Sequence, residues 1–484
     1  MIAQINKVLQ EKFGYSSFRT GQKEAIASVL KKQDTLVMLP TGTGKSLCYQ
    51  LPTYLSEGTT LVVSPLLSLM QDQVENLRLR GENRVVALNS LTSYPERRRI
   101  FKQINQYKFI YTSPEMLQND QVIEILKRVN IQLFVVDEAH CISHWGTDFR
   151  PDYLALANVR KKLGFPTTMA LTATATKQVR EEIIQFLGLD FEQTHQIIKS
   201  VDREEIKFLV EICEGNKSEI LTQYVTQLTG PGIIYFTSKK MADDWANKLI
   251  IELGIKASSY HSDLEADDKI KIQQQFLHNE LQIICATSAF GMGFDKEDIR
   301  FVIHYHIPGS PEMYLQEVGR ASRDGKESIA VLLYQPGDEN IQRRFIEKSL
   351  PSKEELKIAY KQNSKNSIND DSVVKLAEFF AKTSTNINEA SEKIKSRKEI
   401  KNKQLYFMLQ YVYENTCKRN YLLNYFDESP KGDINKCCTS CGIDREKIIS
   451  EVNRLHDTNP KEKLENIVFP WQKVFKSLYK NLQE

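Results

Sequence analysis

The chain has 484 residues, of which 41% are hydrophobic and 26% charged, and its formal net charge of +3 neither requires nor excludes a nucleic-acid partner. This length and composition are typical of a globular protein with about three domains. No apolar run approaches the roughly 18 residues of a membrane-spanning helix, and the first residues lack the apolar core of a signal peptide, so we expect a cytoplasmic protein without a membrane anchor.

Short β-branched segments alternate with helical stretches in two successive series. The first series begins at residues 34, 59, 108, 131 and 167, and the second at residues 232, 281, 299 and 328. Strands that alternate with helices predict a parallel sheet with helices on both faces. A polar stretch around Asp202 to Glu205 separates the two series. We therefore predict the α/β fold class, with two tandem doubly wound parallel-sheet domains at residues 1–203 and 204–337.

The chain beyond Gln335 loses the strand pattern and becomes charged and helical. We predict a helical module at residues 338–445, which ends in a cluster of cysteines, and a short helical tail at residues 446–484. The tail is expected to dock on the protein's own surface, and a helix that binds a partner is the alternative. The basic run at residues 393–403 fits either a solvated helix face or a surface that follows a nucleic-acid backbone.

A glycine-rich loop follows the first predicted strand. Gly42 and Gly44 allow a tight turn whose amide hydrogens face a phosphate, Lys45 is suited to pairing with the β- and γ-phosphates, and Ser46 is suited to binding Mg²⁺. Leu39 stands where the strict motif has glycine, and a chance glycine turn is the alternative. The strand before the loop and the helix after it favour a nucleotide site. The predicted nucleotide-binding residues of this loop are Thr41, Gly42, Thr43, Gly44, Lys45 and Ser46.

Two carboxylates follow the strand predicted at residue 131. Asp137 is placed to hold Mg²⁺ and Glu138 to polarise an attacking water, although a solvated acidic turn is the alternative. Phosphoryl transfer also needs positive charge at the transition state, which Arg320 and Arg323 in "QEVGRASRDG" offer from the second domain. If these arginines reach across a cleft, hydrolysis requires the domains to close. Two exposed arginines after a helix are the alternative.

Four cysteines cluster near residue 440. Nineteen residues separate Cys417 from "CCTSCGID", which contains Cys437, Cys438 and Cys441. A chelating turn with a distant fourth thiolate predicts a tetrahedral Zn²⁺ site, and a site without a free position is structural. Asp444 is an alternative to one of the two adjacent cysteines as the fourth ligand. Four free reduced thiols are the alternative to a metal site.

Taken together, these motifs resemble the RecQ-type DNA helicases of helicase superfamily 2, over nearly the whole stretch from Phe13 to Cys441. The resemblance also rests on "FGYSSFRTGQ", "SPLLSLMQDQV", "TSPEML", "ALTATAT", "YHSDL" and "ATSAFGMGFDKEDIRFVIH", which occur in the order of the helicase motifs. It implies two RecA-like domains with ATP in the cleft between them. It further implies that Tyr15 and Arg19 sandwich the adenine, that Gln22 hydrogen-bonds its edge and that Asp295 lies near the nucleotide.

The loop "HWGTDFR" follows the two carboxylates within a dozen residues, where RecQ-like proteins carry an aromatic-rich loop. We expect a base to stack on Trp145 or Phe149, with Arg150 near a phosphate, so that strand binding shifts the catalytic carboxylates. The resemblance makes His140 part of this coupling network. A core position for Trp145 is the alternative.

The resemblance thus implies an ATP-dependent 3′ to 5′ DNA helicase of recombination and repair, and the motifs predict ATP, Mg²⁺ and Zn²⁺ as cofactors. We expect a nucleoid-associated cytoplasmic monomer that acts on single-stranded and tailed duplex DNA, with single-strand-binding or recombination proteins as partners. About forty residues follow Asp444, so we expect a short bacterial form without the winged-helix and C-terminal helicase-and-RNase-D-like domains. A single-strand DNA-stimulated translocase with weak unwinding is the main alternative. A catalytically idle DNA-binding scaffold and an RNA helicase are the others.

Overall fold

The structure is a computed structural model, and it describes residues 2–90, 92–143, 149–291, 294–361, 372–429 and 436–456. Two parallel β-sheets follow one another along the chain, and a helical module follows the second sheet. Each sheet has a core cluster on both of its faces. This architecture confirms the predicted α/β fold class. Among the helices within the described ranges, none combines the length and the apolar character needed to cross a bilayer.

The first sheet has seven strands, β1 Thr35–Met38, β2 Thr59–Val63, β3 Val85–Leu88, β4 Phe109–Thr112, β5 Ile131–Val136, β6 Thr167–Thr172 and β7 His195–Ile198. All are parallel, in the order β3-β4-β2-β5-β6-β1-β7. Its helices are α1 Ile2–Val8, α2 Gln22–Leu30, α3 Leu47–Leu55, α4 Leu67–Leu79, α5 Tyr94–Lys102, α6 Asp120–Leu126, α7 Leu156–Lys162 and α8 Lys177–Phe186. Since both faces are covered, strands such as β1 are buried at every position and read as continuous apolar runs.

The second sheet has six parallel strands, β8 Ile206–Ile212, β9 Gly232–Tyr235, β10 Ala257–Tyr260, β11 Ile283–Ala286, β12 Phe301–His304 and β13 Ser328–Tyr334. Their order is β10-β11-β9-β12-β13-β8. Its helices are α9 Lys217–Gln227, α10 Lys239–Ile251, α11 Ala266–Leu277 and α12 Pro311–Val318. In a parallel sheet all carboxyl ends meet at one edge, so the loops that follow these strands gather there.

The helical module contains α13 Glu339–Lys348, α14 Lys353–Lys361, α15 Ser372–Thr383, α16 Ile387–Tyr413, α17 Lys418–Tyr425 and α18 Arg445–His456. The side chain of Asn386 caps the start of α16 by accepting hydrogen bonds from the amides of Asn388 and Glu389. In α18, Ile448, Ile449 and Val452 pack into the core of the second sheet. The rest of the predicted tail, residues 457–484, lies outside the described residues.

Helix α17 joins the module to both sheets. Leu423 and Phe426 belong to the core cluster on one face of the first sheet, whereas Leu422 belongs to a cluster of the second sheet. The amide of Phe208 in β8 donates to the carbonyl of Cys437 at 3.1 Å, so the cysteine-rich segment lies along the outer edge of β8. The module therefore holds the two sheets relative to one another.

All nine predicted strands are present, as β1, β2, β4, β5, β6, β9, β11, β12 and β13, and the structure adds β3, β7, β8 and β10. The predicted boundary between residues 203 and 204 falls between β7 and β8, and the one between residues 337 and 338 falls between β13 and α13. As limits of independent domains, these boundaries remain predictions.

Candidate functional site

A cavity of about 410 Å³, here called the first cavity, opens between the two sheets. Its size lies within the usual range of about 300 to 1,000 Å³ for small-molecule sites. It brings together most of the residues predicted to handle ATP, but Thr43 and Arg320 do not line it. The predicted residues that line it are Tyr15, Arg19, Gln22, Thr41, Gly42, Gly44, Lys45, Ser46, Asp137, Glu138, Asp295 and Arg323.

The glycine-rich loop connects β1 to α3 at the floor of the first cavity. Gly42 and Gly44 have φ angles of +84° and +74°, a left-handed conformation that glycine adopts without steric cost. Lys45 is partly buried, and its Nζ donates to the carbonyl oxygen of Leu39 at 3.4 Å. Burial lowers the pKa of Lys45, which Glu138 and Asp137 oppose. A poorly solvated cation beside a turn of backbone amides is suited to holding a phosphate.

The two carboxylates stand just after β5. The amide of Asp137 donates to the carbonyl of Val63 at 2.9 Å, which fixes the start of the turn. Burial and then the charge of Glu138 raise the pKa of Asp137 to about 7, while Lys45 opposes the shift. Glu138 has a φ of +47°, and a residue with a side chain is held in this left-handed region only by its surroundings.

Two buried polar atoms of the first cavity, Oε2 of Glu138 and Nε of Arg323, have no hydrogen-bond partner among the described residues. Glu138 is 9% exposed, and the side chain of Arg323 is 8% exposed. An unpaired buried polar group costs about 1 to 3 kcal/mol, so such atoms indicate a place where a ligand or water completes the bonding. The residues present therefore fit a nucleotide.

The second sheet contributes Arg323 to the first cavity. Its Nη1 donates to the carbonyl of Phe294 at 2.9 Å and to Oδ1 of Asp295. A Cβ built on Gly42 would lie 2.6 Å from Cγ of Arg323, so the arginine lies directly against the glycine-rich loop. Arg320, in contrast, is buried and donates to the carbonyl of Gly291. In this structure Arg320 lines a different cavity, and the catalytic role predicted for it stays a prediction.

The predicted adenine-binding residues lie at the outer end of the first cavity. The side chain of Tyr15 is exposed. Gln22 donates from Nε2 to the carbonyl of Thr43 at 2.7 Å, and its Oε1 accepts from the amide of Arg19 at 2.9 Å. The guanidinium of Arg19 donates to the carbonyl of Gly42. The amide group of Gln22 thus contacts the glycine-rich loop itself, a link that the sequence analysis does not predict.

His140 lies next to the carboxylates and is buried. Its Nδ1 is 3.1 Å from Oγ1 of Thr172 at the end of β6 and 3.4 Å from Oε2 of Glu138. The imidazole therefore connects the catalytic turn to the neighbouring strand end. This contact with Glu138 fits the predicted coupling role.

The predicted aromatic loop is described only in part, since Trp145 lies outside the described residues. Phe149 does not face solvent in this structure; it is 9% exposed, and its ring packs edge-on against Phe379 with centroids 5.8 Å apart. The guanidinium of Arg397 lies 4.8 Å from the ring centroid. In this structure α15 and α16 cover the ring, and the base-stacking role expected of Phe149 stays a prediction. Arg150 donates to the carbonyl of Pro65 at 2.7 Å.

A second cavity, of about 340 Å³, lies between the two sheets and the helical module. Its lining includes one cation from each of the three parts of the chain: Arg150, Arg320 and Lys401. Ser288, Ser310, Ser349 and Gln404 add polar groups, and Phe345 adds an aromatic ring that is 46% exposed. The lining also includes Glu317, so the three cations are in excess. Cations with polar neighbours and an accessible ring are suited to a strand of nucleic acid. The predicted basic run therefore has two roles, since Arg397 is buried against Phe149 and Lys401 lines this cavity.

The four clustered cysteines converge, and their sulfur atoms all lie within 4.8 Å of one another. The Sγ separations are 3.4 Å for Cys417 and Cys437, 3.9 Å for Cys417 and Cys438, and 3.5 Å for Cys438 and Cys441. Tetrahedral Zn²⁺ with bonds of about 2.3 Å needs sulfurs about 3.8 Å apart, so the residues present fit this ion. Asp444 instead accepts a hydrogen bond from the amide of Lys447 at 3.0 Å, at the start of α18. The structure thus favours both adjacent cysteines over Asp444 as ligands.

Two arginines that the sequence motifs do not include link the two sheets and the helical module. Arg203 lies in the linker between β7 and β8 and contacts loops of both sheets, while Arg419 follows Cys417 and holds that linker. Nothing in the local sequence marks either of them, because each is one charged residue in a polar stretch whose partners are distant along the chain.

Comparisons with known proteins agree with this architecture. Residues 19–183 match the model described as DEAD/DEAH box helicase, residues 216–325 the helicase conserved C-terminal domain, and residues 336–445 the RecQ zinc-binding family. The probable ATP-dependent DNA helicase RecS of Bacillus subtilis (strain 168) is 43% identical over 462 residues, covering 92% of this chain and 93% of that protein.

Longer relatives share the same region. The ATP-dependent DNA helicase RecQ of the same organism is 43% identical over 72% of this chain and 59% of that protein, and the RecQ of Haemophilus influenzae is 34% identical over 93% and 66%. This chain therefore spans about two thirds or less of the length of those two relatives. Among solved structures, DUF1998 helicase MrfA bound to DNA aligns with a TM-score of 0.59 over 70% of this chain and 52% of that chain, at 20% identity. Mycobacterium smegmatis helicase Lhr bound to ssDNA and AMP-PNP aligns at 0.57 over 84% and 57%, also at 20% identity. At this identity the likeness shows the fold alone.

Proposed function

Because the chain belongs to the RecQ family of ATP-dependent DNA helicases, we propose that it hydrolyses ATP in the first cavity and uses the energy to move 3′ to 5′ along single-stranded DNA and unwind duplexes in recombination and repair. One observation carries this proposal. Arg323 of the second sheet lies against Gly42, in a cavity that also holds Lys45 and the carboxylates of the first sheet. Phosphoryl transfer needs these groups around one phosphate, and here two separate units supply them.

Each residue of the first cavity has a distinct role in this proposal. Lys45 pairs with the β- and γ-phosphates, Glu138 polarises the attacking water and Arg323 stabilises charge in the transition state. Ser46 and Asp137 would hold Mg²⁺, which would supply positive charge beside the phosphates. Such a cation next to Asp137 would favour the ionised carboxylate and so oppose the upward pKa shift that burial causes.

At the outer end, Tyr15 and Arg19 hold the adenine between them and Gln22 recognises its edge. Gln22 also contacts the carbonyl of Thr43 and Arg19 contacts that of Gly42. Adenine binding is therefore transmitted to the loop that holds the phosphates. A nucleotide with a different base leaves these side chains unsatisfied and positions the loop less well.

The second cavity is proposed to bind the DNA strand. Arg150, Arg320 and Lys401 contact phosphates, and Phe345 offers a ring for a base. Two short segments connect this cavity to the first. Arg320 and Arg323 are neighbours in one segment, and the amide of Arg150 donates to the carbonyl of Cys141, close to Glu138, in the other. Strand binding and the positions of Arg323 and Glu138 are thereby coupled.

The cysteine cluster is proposed to hold one structural Zn²⁺ that fixes the junction between β8 and α17. Because all four ligands are thiolates from the protein, the ion takes no part in hydrolysis. The protein is proposed to act in the cytoplasm with the nucleoid, as a monomer that meets single-strand-binding or recombination proteins on DNA.

Strand displacement on tailed duplexes tests the proposal. One DNA duplex carries a 3′ tail, a 5′ tail or no tail, and displacement and ATP turnover are recorded together with Mg²⁺ present. The expected result is displacement of the 3′-tailed duplex only, with turnover stimulated by both tails. Turnover without displacement would identify a translocase instead. Equal stimulation by an RNA tail would contradict the assignment to DNA.

A further inference from the structure

The linker between the two sheets carries an arginine that contacts both sides of the first cavity. Arg203 donates from Nη1 to the carbonyl of Thr41 at 2.9 Å, and from Nη2 to the carbonyls of Ser322 and, at 3.3 Å, Ala321. Its side chain is 15% exposed, and Nε lies 3.4 Å from Oε2 of Glu205. A single planar guanidinium therefore joins the glycine-rich loop of the first sheet to a loop of the second.

These acceptors have a direct relation to the reaction. Thr41 immediately precedes Gly42, and Ser322 immediately precedes Arg323. Arg203 thus holds two backbone segments whose next residues, Gly42 and Arg323, approach each other so closely that a Cβ on Gly42 would lie 2.6 Å from Cγ of Arg323. The fork of a guanidinium has a fixed geometry, so it fixes a distance in a way that one lysine ammonium does not. Arg203 itself does not line the first cavity.

Arg203 is in turn held by the zinc-binding module. Arg419 donates from Nη1 to the carbonyl of Arg203 at 2.9 Å and to Oδ1 of Asp202, and from Nη2 to the carbonyl of Ile206. Arg419 is almost fully buried, and its guanidinium lies 5.2 Å from the ring centroid of Phe208 in β8. The linker around Arg203 is therefore fixed to the same part of the fold as the cysteine cluster, two residues from Cys417.

We propose that Arg203 is a positioning residue for ATP hydrolysis: it holds the loop that carries Arg323 against the glycine-rich loop, and Arg419 holds Arg203 in place. The proposal rests on the proposed function, since it concerns the efficiency of the same hydrolysis. It assigns the linker a role beyond connecting two units. It also gives the zinc-binding module a route to the first cavity that does not pass through the DNA strand.

The test is a double-mutant cycle on ATP turnover with saturating single-stranded DNA. For Arg203→Ala, kcat is expected to fall about 100-fold with little change in KM, because a displacement of about 1 Å at a catalytic group has an effect of this size. In an Arg323→Ala background, Arg203→Ala is expected to cause little further loss, because it acts through Arg323. A purely structural role does not predict this non-additivity.

A matched control is Arg160→Ala. Arg160 is also buried, and it donates to Asp34, Thr168 and the carbonyl of Gly188 within the first sheet, away from the first cavity. It is expected to lower the melting temperature without the loss of kcat. If Arg203→Ala does not fold, Arg203→Lys serves in its place; it keeps the charge but loses the fork, and kcat is expected to fall about 10-fold.

The outcomes separate this proposal from the proposed function. Normal kcat in a folded Arg203 variant, or losses that multiply in the double variant, would overturn the positioning role while leaving the helicase assignment intact. Absence of ATP turnover in the unmodified protein with every strand would overturn both.

Discussion

The first and second cavities are built in different ways. The phosphate-handling residues that the first sheet gives to the first cavity come from two short segments, residues 41–46 and 137–138, each soon after a parallel strand, and the second sheet adds Arg323. The cations of the second come from three distant parts of the chain: Arg150, Arg320 and Lys401. The first-sheet part of the first cavity is therefore fixed by local backbone geometry at the edge of one sheet, whereas the second cavity exists only when both sheets and the helical module are packed together.

This difference predicts that basal ATP hydrolysis and its response to a DNA strand depend on different parts of the chain. A change at Lys401, or in the helices that cover Phe149, leaves the glycine-rich loop and its carboxylates in place, because these follow strands of the first sheet. A change around Arg419 is expected to reach Arg323 through Arg203 instead. We therefore expect basal hydrolysis and strand response to be separable by mutation.

Lys45→Ala is expected to have the largest effect, and it tests the first cavity alone. ATP turnover is expected to fall by about 1,000-fold, the size of effect seen when one charge-stabilising group is removed from a preorganised site. DNA binding is expected to persist, because Lys45 does not line the second cavity. Turnover and fluorescence anisotropy with labelled single-stranded DNA measure the two effects. Retained turnover would contradict the assignment of the phosphate site.

The next largest effect is expected at the cysteine cluster of the helical module, which packs against both sheets. Cys441→Ser removes one thiolate of the four-sulfur cluster, so bound zinc is expected to fall to background and stability by about 4 kcal/mol, typical of the loss of a structural metal. Zinc content by atomic absorption and thermal melting measure this. Cys48→Ser, at a buried cysteine of the first sheet, is the control and is expected to keep its zinc. Full zinc content in the Cys441 variant would remove Cys441 from the ligand set.

The two cavities also differ in how far the sequence predicts them. The glycine-rich loop and the carboxylate turn are contiguous, so their chemistry is readable in the sequence, and the structure places both in one cavity. The surroundings of Arg320 and Phe149 cannot be predicted in the same way, because each side chain packs against a partner distant in sequence. Gly291 accepts from Arg320, and Phe379 covers Phe149. Such contacts follow from tertiary packing and have no local signal.

A related physical reason explains two of the four strands that the sequence misses, β7 and β10. The buried central strands are apolar at every position and stand out in the sequence, whereas β10, "ASSY", carries two serines and β7, "HQII", begins with an exposed histidine. Both lie at the edge of a sheet. An edge strand packs less apolar surface, so its composition is closer to that of a loop. β8 is apolar, but it directly follows the polar stretch that is predicted to separate the two domains.

Phe149→Ala tests the connection between the two cavities. The ring is buried between Phe379 and Arg397, so its removal is expected to lower stability by about 3 kcal/mol and to weaken the stimulation of ATP turnover by DNA. Basal turnover is expected to remain, since the first cavity does not include this residue. Phe191→Ala is the control, because Phe191 is half exposed. Undiminished stimulation with lowered stability would confine Phe149 to a packing role.

The smallest expected effect is also the most specific to the second cavity. Lys401 lies in its lining, whereas Lys398, one turn earlier on α16, pairs with Glu347 and does not line it. If Lys401 contacts one phosphate, Lys401→Ala should weaken binding equally for every strand sequence and reduce the slope of log affinity against log salt by about 1, because one fewer counterion is released. Lys398→Ala should leave that slope unchanged, and neither variant should alter basal turnover. Since net charge changes equally in the two variants, a difference between their slopes reports the position of the charge rather than its sum. Equal slopes would mean that the strand follows another path, and the second cavity would then be a gap between packed units and not a binding site.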